Sequence, residues 1–340
     1  MAYTTINKST DHFDTRTYSA SGAGSISDVS FQPDFLWFKN RTAVGDSGLM
    51  DAVRGITKIL HANDANSEVT SNGSSDFNAF TSNGFNYGAS SQLDTGSGTP
   101  CTWLWKANGT GSANTAGTVN STVSVNSTSG FSIVSWTHNG SANYTVGHGL
   151  GATPKMILAK TRSGGANWDV YHANITSGNR LILNSTGGQV SGYWGANTVN
   201  NNTFSIGSGL ASNGTTMIAY CFAEKQGFSK FGSYTGNDNA DGTFVYLGFK
   251  PAFVMIKRTN SANDWIMLDN KRNSFNIVDD RLVANTNAAE ATTNLLDFVS
   301  NGMKMRATYG GVNGASDNFI YMAFAEAPLV GTNNVPCTAR

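Results

Sequence analysis

The side chains best suited to metal, nucleophilic or acid–base chemistry in this chain are five histidines, three cysteines and a few paired carboxylates, and their spacing assembles no site. His12, His61, His138, His148 and His172 match no ligand pattern such as His-Glu-x-x-His, which argues against a zinc or iron centre. Cys101, Cys221 and Cys337 lie too far apart for a Cys-x-x-Cys pair or a disulfide framework. Cys221, inside an apolar block, reads as a small buried thiol. Gly147-His-Gly-Leu-Gly151 lacks the Lys-Ser/Thr of a phosphate loop and reads as a turn. Asp279 and Asp280, beside Arg281, read as a solvated turn rather than a glycosidase pair. Asn237-Asp-Asn-Ala-Asp-Gly242 alternates oxygen side chains like a calcium loop, but the closing glutamate is missing and a plain turn is expected. The residues therefore predict no enzyme, no cofactor and no metal.

What does recur is a lysine at the end of an apolar strand. Pro33-Asp-Phe-Leu-Trp-Phe-Lys39, Pro154-Lys-Met-Ile-Leu-Ala-Lys160 and Pro251-Ala-Phe-Val-Met-Ile-Lys257 share one spacing, with Arg41, Arg162 and Arg258 just beyond. Further on come Trp168 and Trp265, with Ser47 at the same place in the first copy, and then Leu60 to Asn63, Leu181 to Asn184 and Leu282 to Asn285. Asn-Gly turns at Asn83-Gly84, Asn213-Gly214 and Asn301-Gly302 precede the closing strands Trp103-Leu-Trp105, Tyr220-Cys-Phe222 and Tyr321-Met-Ala-Phe324. Landmarks in constant order define an internal repeat of about a hundred residues. Lys39, Lys160 and Lys257 are candidate ligand-facing cations at a sandwich rim; the plainer reading is an edge charge or a stem covering core. Trp168 and Trp265 are candidate sugar-stacking rings, the plainer reading being core anchors.

The elements that would position these residues are strands. Glycine is abundant (38 residues), charged residues make up only 13% of the chain, and the formal net charge is zero. A neutral, weakly charged chain has no field to draw in nucleic acid or an anionic membrane. Apolar blocks are four to eight residues long between Gly/Asn/Ser turns, and none reaches the roughly 18 residues of a membrane span. The N-terminus shows no secretory signal pattern. The expected fold is all-β: three tandem related β-sandwich, jelly-roll-like modules over 1–110, 121–225 and 226–326, each with its own core. A polar linker is expected at about 108–120 and an extended C-terminal arm at 327–340. The short junction near Lys225-Gln-Gly227 predicts that modules two and three pack together while module one is offset. Ser47 to Leu60 is expected as two short strands and a turn.

Three segments carry a resemblance. The Phe31 to Arg41 opening, the Phe80 to Phe85 turn and the terminal Phe-Ala-Glu-Ala-Pro-Leu-Val-Gly-Thr-Asn-Asn-Val-Pro of Phe324 to Pro336 resemble a family of repetitive structural proteins encoded by marine tailed bacteriophages, including cyanophages. The resemblance spans almost the whole chain and implies a virion component, tail-fibre-like, with no catalytic residues to carry over. The function it leads us to expect is that of a non-enzymatic receptor-binding or tail-fibre protein contacting host surface glycan, working as a homo-oligomer, with trimers favoured, among other virion proteins. A purely architectural piece (capsid decoration, head fibre or tail collar) is the alternative, and a polysaccharide depolymerase the weakest reading.

Overall fold

The computed structural model describes residues 3–71, 77–89, 98–141, 143–192, 194, 199–207 and 209–331. Apart from one short 3-10 turn at Ser9–Asp11, its regular structure is all strand. The first repeat forms a six-stranded antiparallel sheet in the order Phe13–Thr17, Pro100–Trp105, Phe35–Asn40, Gly48–Asp51, Lys58–His61, Val69–Thr70. A smaller sheet of Gly24–Ile26, Gly84–Tyr87 and Phe77–Thr81 lies apart from it. The second repeat has an eight-stranded sheet and a two-stranded one of Tyr144–Gly147 and Thr203–Ile206. In the third the corresponding strands join one eight-stranded sheet. In the first two repeats a large sheet faces a small one across an outer core, and in the third one sheet wraps around its own.

The large sheets are apolar on both faces, which is why the Pro-to-Lys strands read as unbroken apolar runs. Successive side chains of a strand point to opposite faces. Phe35 and Trp37, Met156 and Leu158, and Phe253 and Met255 enter one core common to all three repeats. Between them, Leu36 and Phe38, Ile157 and Ala159, and Val254 and Ile256 enter three separate outer cores. The closing strands meet at the centre: Trp105, Phe222 and Phe324 form a triangle with ring centroids 6.1, 5.6 and 6.1 Å apart. They occupy one place in the repeat, paired in register with Phe35, Met156 and Phe253. Fully burying one such side chain is worth about 1.5–3 kcal/mol, so the shared core is a large part of the folding energy.

This arrangement corrects several expectations. The repeats do not have only their own cores, and the first is not offset: Phe13 stacks on Phe324 at 4.9 Å and Phe35 on Tyr220 at 4.1 Å. The 108–120 segment is docked rather than loose. Ser112–Asn114 pairs with Ser121–Asn126, and the Gly109 N–H donates to Asp34. The strand Asn318–Pro328 takes in Ala327 and Pro328, and Leu329 N–H donates to Gly248 O, so the arm is anchored at its start; 332–340, with Cys337, lies outside the described residues. Asp279 and Asp280 sit within the strand Val278–Val283 rather than in a turn. The turn equivalent to Asn83-Gly84 and Asn301-Gly302 is Asn202-Thr203, not Asn213-Gly214. In all three the asparagine carbonyl accepts from the same place in the chain, at Val29, His148 and Leu247.

Candidate functional site

Lys39, Lys160 and Lys257 are completely buried, and each reaches a carbonyl of the neighbouring repeat, while Lys160 and Lys257 also donate to Ala166 O and Asn263 O of their own (both 2.5 Å). Lys39 Nζ donates to Thr286 O (2.6 Å), Lys160 Nζ to Asp64 O (3.4 Å) and Lys257 Nζ to Thr186 O (2.6 Å). The first repeat thereby grips the third, the second the first, and the third the second, closing a ring. Parallel backbone bonds reinforce each seam: Glu290 N–H to Arg41 O, Glu68 N–H to Arg162 O and Gln189 N–H to Thr259 O, all 2.8 Å. Burial holds each of these ammonium groups down, at about 8.

The tryptophans do the same work. Trp168 Nε1 donates to His61 O (2.7 Å) and Trp265 Nε1 to Ile182 O (3.0 Å), each across a seam. Both are buried, and Lys160 and Lys257 lie 5.7 and 5.9 Å from the ring centroids. Asn184 and Asn285 position them by accepting the backbone N–H of the tryptophan, as Asn63 does for Ser47. None of the five candidate contacts faces outward, because their polar atoms are consumed inside the fold, in bonds across the seams and within the repeats. Trp37, which replaces the smaller Leu158 and Met255 of its siblings, donates to Ser47 Oγ at 2.8 Å. The first repeat has moved its bulk from one strand to the next.

Two seams are ionic and one is neutral. At the first, buried Arg54 reaches Asp51 (2.5 Å) and Glu68 (3.2 Å), Tyr220 donates to Asp51 (2.8 Å), and Arg162 of the second repeat completes the set on Glu68 (2.9 Å). At the second, Arg272 reaches Asp269 (2.7 Å) and Glu290 (2.9 Å), and Arg41 clamps Glu290. Burial pushes the Asp269 carboxyl up, but Arg272 beside it outweighs this and holds it below the usual range. At the third seam the same four places hold His172, Ile175, Gln189 and Thr259. All four charges have gone together, which keeps the interior neutral.

His172 donates through Nε2 to Tyr321 O (3.2 Å), and burial lowers it to about 4. Between an unfolded value of 6.5 and about 4 the unfolded chain binds the extra proton, so this contribution is intact above pH 6.5 and lost as pH falls towards 4. The loss should be about 3 kcal/mol. Urea unfolding at pH 7 and 4.5 is expected to show it, with a flatter profile for His172→Asn, whose amide oxygen can still accept the Asn174 N–H. Equal slopes would discount His172.

Among the described residues, Asp46, His61 and Asp64 bring metal-type ligand atoms within 4.8 Å. Asn63 donates to Asp46, His61 Nδ1 is 3.2 Å from Asp64, and Lys160 sits on Asp64 O, so the group is held within the hydrogen bonding of a seam. The Asn237 loop closes on itself through Asn313, and Asp241 pairs with Lys304.

The outward feature lies on the third repeat, and the sequence patterns above do not point to it. Phe244 and Tyr246 flank buried Val245 and are nearly half exposed, at 46% and 47%. Across the sheet the register places Phe244 beside Lys304 and then Asp297, and Tyr246 beside Gly302 and then Val299. Lys230 fixes Tyr246, donating to its carbonyl and lying 5.1 Å from the ring centroid. Phe275, 79% exposed, precedes Asn276, which clips to Phe298 on the same sheet. The corresponding places are Ser25 and Ser27 in the first repeat and Thr145 and Gly147 in the second. Phe275 sits in an insertion, since Asp269 to Leu282 spans thirteen residues where Asp51 to Leu60 and His172 to Leu181 span nine. The fold therefore requires none of these rings; the readable signal was aromatics standing where the sister repeats have small polar residues.

No helix among the described residues is long and apolar enough to cross a membrane. No curated protein matches the chain. A family model described as a domain of unknown function, DUF7483, matches residues 8–328, which takes in all three repeats, and the chain belongs to that family.

Proposed function

We propose that this chain is a non-enzymatic structural protein of a bacteriophage virion, a tail-fibre or receptor-binding component whose third repeat contacts host surface glycan. The observation that carries the reading is that, among the described residues, the strongly exposed aromatic rings Phe244, Tyr246 and Phe275 all stand on one repeat of three. A glycan suits this face better than an apolar partner. Lys304, Asp297 and Arg306 interrupt the rings, with Arg306 paired to Asp297 at 3.1 Å. A greasy surface would have to strip water from these charges, whereas hydroxyls can bond to them while sugar C–H faces stack on the rings. The virion assignment rests on the resemblance of the Phe31, Phe80 and Phe324 segments. Homo-oligomer formation, with many copies adding weak contacts, belongs to the same proposal.

The purified chain is expected to bind host cells saturably, in competition with host surface polysaccharide. Phe244→Ser, Tyr246→Ser and Phe275→Ser together, the first two of which copy the polar surface of the first repeat, should weaken binding about tenfold or more, at about 0.5–1.5 kcal/mol per ring. Melting should barely change. Full binding by the triple variant would remove this face from the site. No binding by the folded wild type would favour the architectural reading, which draws support from the repeated landmarks all being spent on holding the chain together.

A further inference from the structure

A second polar concavity lies in the second repeat, away from the aromatic face. It has a volume of about 230 Å³ and is lined by Ala166, Asn167, Asp169, Arg180, Gly209 and Leu210. At its base the Asp169 carboxylate, on a residue only 3% exposed, is bonded through one oxygen to Arg180 Nη1. Desolvating such a pair costs stability, and the sister repeats avoid it. The positions of Asp169 and Arg180 are Gly48 and Ile59 in the first repeat, and Ile266 and Arg281 in the third, where Arg281 instead bonds the Tyr309 hydroxyl at 3.0 Å. The fold thus does not require the pair.

The lining has a definite chemistry. Asn184 donates to Asn167 Oδ1 at 2.8 Å, which leaves the Asn167 amide as a hydrogen donor at the rim. The second Asp169 oxygen is an acceptor, and Leu210 gives an apolar wall. Asp169 and Arg180 cancel in charge. An anion would have to compete with Asp169 for Arg180, and a cation with Arg180 for Asp169, so a neutral hydroxyl-rich ligand fits. The volume is below the about 300–1,000 Å³ of sites for drug-sized ligands and suits a single ring. We propose that this concavity is a binding site for one neutral pyranose unit, separate from the aromatic face.

The test is saturation-transfer NMR on the full chain with millimolar glucose, galactose, mannose, fucose and N-acetylglucosamine. Transfer to at least one sugar is expected, with the signal lost on Asn167→Ala and on Asp169→Asn, each checked for unchanged melting, since Asn167 also holds Asn184 beside the buried Trp168. It should persist in Phe244→Ser/Tyr246→Ser. Absence of transfer from all five sugars overturns the proposal. So does transfer that survives both pocket variants; if that transfer disappears in the Phe244/Tyr246 variant, the sugar sits on the aromatic face and only the pocket fails.

Discussion

Arg54→Ile is expected to destabilise the protein by about 3–5 kcal/mol, because it leaves the buried Asp51 carboxylate with a tyrosine hydroxyl but no counter-ion and takes from Glu68 one of its two arginines. The same isoleucine stands at the equivalent place, Ile175, without harm, since every charge that would need an arginine there is also absent. Carrying the neutral set across in full, as Asp51→His, Arg54→Ile, Glu68→Gln, Arg162→Thr and Tyr220→Met, should therefore cost much less than Arg54→Ile alone. Replacing a whole buried ionic set with neutral groups is often harmless or stabilising, while breaking one is not. Urea unfolding of the single and fivefold variants decides this. A fivefold variant less stable than Arg54→Ile would mean that the seams are not interchangeable and that local packing, rather than charge balance, sets the pattern.

The repeat, the strands and the core role of the tryptophans were legible in the sequence because spacing and alternation are local properties. Ser47 to Leu60 forms two short strands and a turn, as its glycines indicate. The ring was not legible. Lys39, Lys160 and Lys257 look like edge charges until the neighbouring carbonyls at Thr286, Asp64 and Thr186 are in place. Asn213-Gly214 looked like the matching turn because Asn-Gly is a strong turn signal, whereas Asn202-Thr203, which makes the equivalent bond to His148, lacks the glycine. The matched loss of charge at His172, Ile175, Gln189 and Thr259 could have been read from aligned repeats. Its meaning depends on Thr259 and Gln189 belonging to facing repeats, which only the fold supplies. The aromatic face was hidden for a similar reason: Phe244-Val-Tyr246 alternates like any half-buried strand, and sequence alone does not say which face is outside.

The exchange of bulk between Trp37 and Ser47 supplies the other large expected effect. Trp265 is 1% exposed in the shared core, and Trp265→Ser should cost about 3–5 kcal/mol by leaving a cavity and an unpaired Ile182 carbonyl. Met255, which occupies the place of Trp37, should tolerate Met255→Trp badly on its own, by about 1–3 kcal/mol of overpacking. Together they rebuild the arrangement of the first repeat, with an indole on the Pro-to-Lys strand donating to a serine on the next. The double variant should then be more stable than the sum of the singles by more than about 1 kcal/mol, a coupling that a double-mutant cycle resolves. The shared core also predicts that each variant loses stability in one transition, since the rings around Trp105, Phe222 and Phe324 bind the repeats into one unit. Costs that simply add would show that the first repeat accommodates Ser47 by some other adjustment.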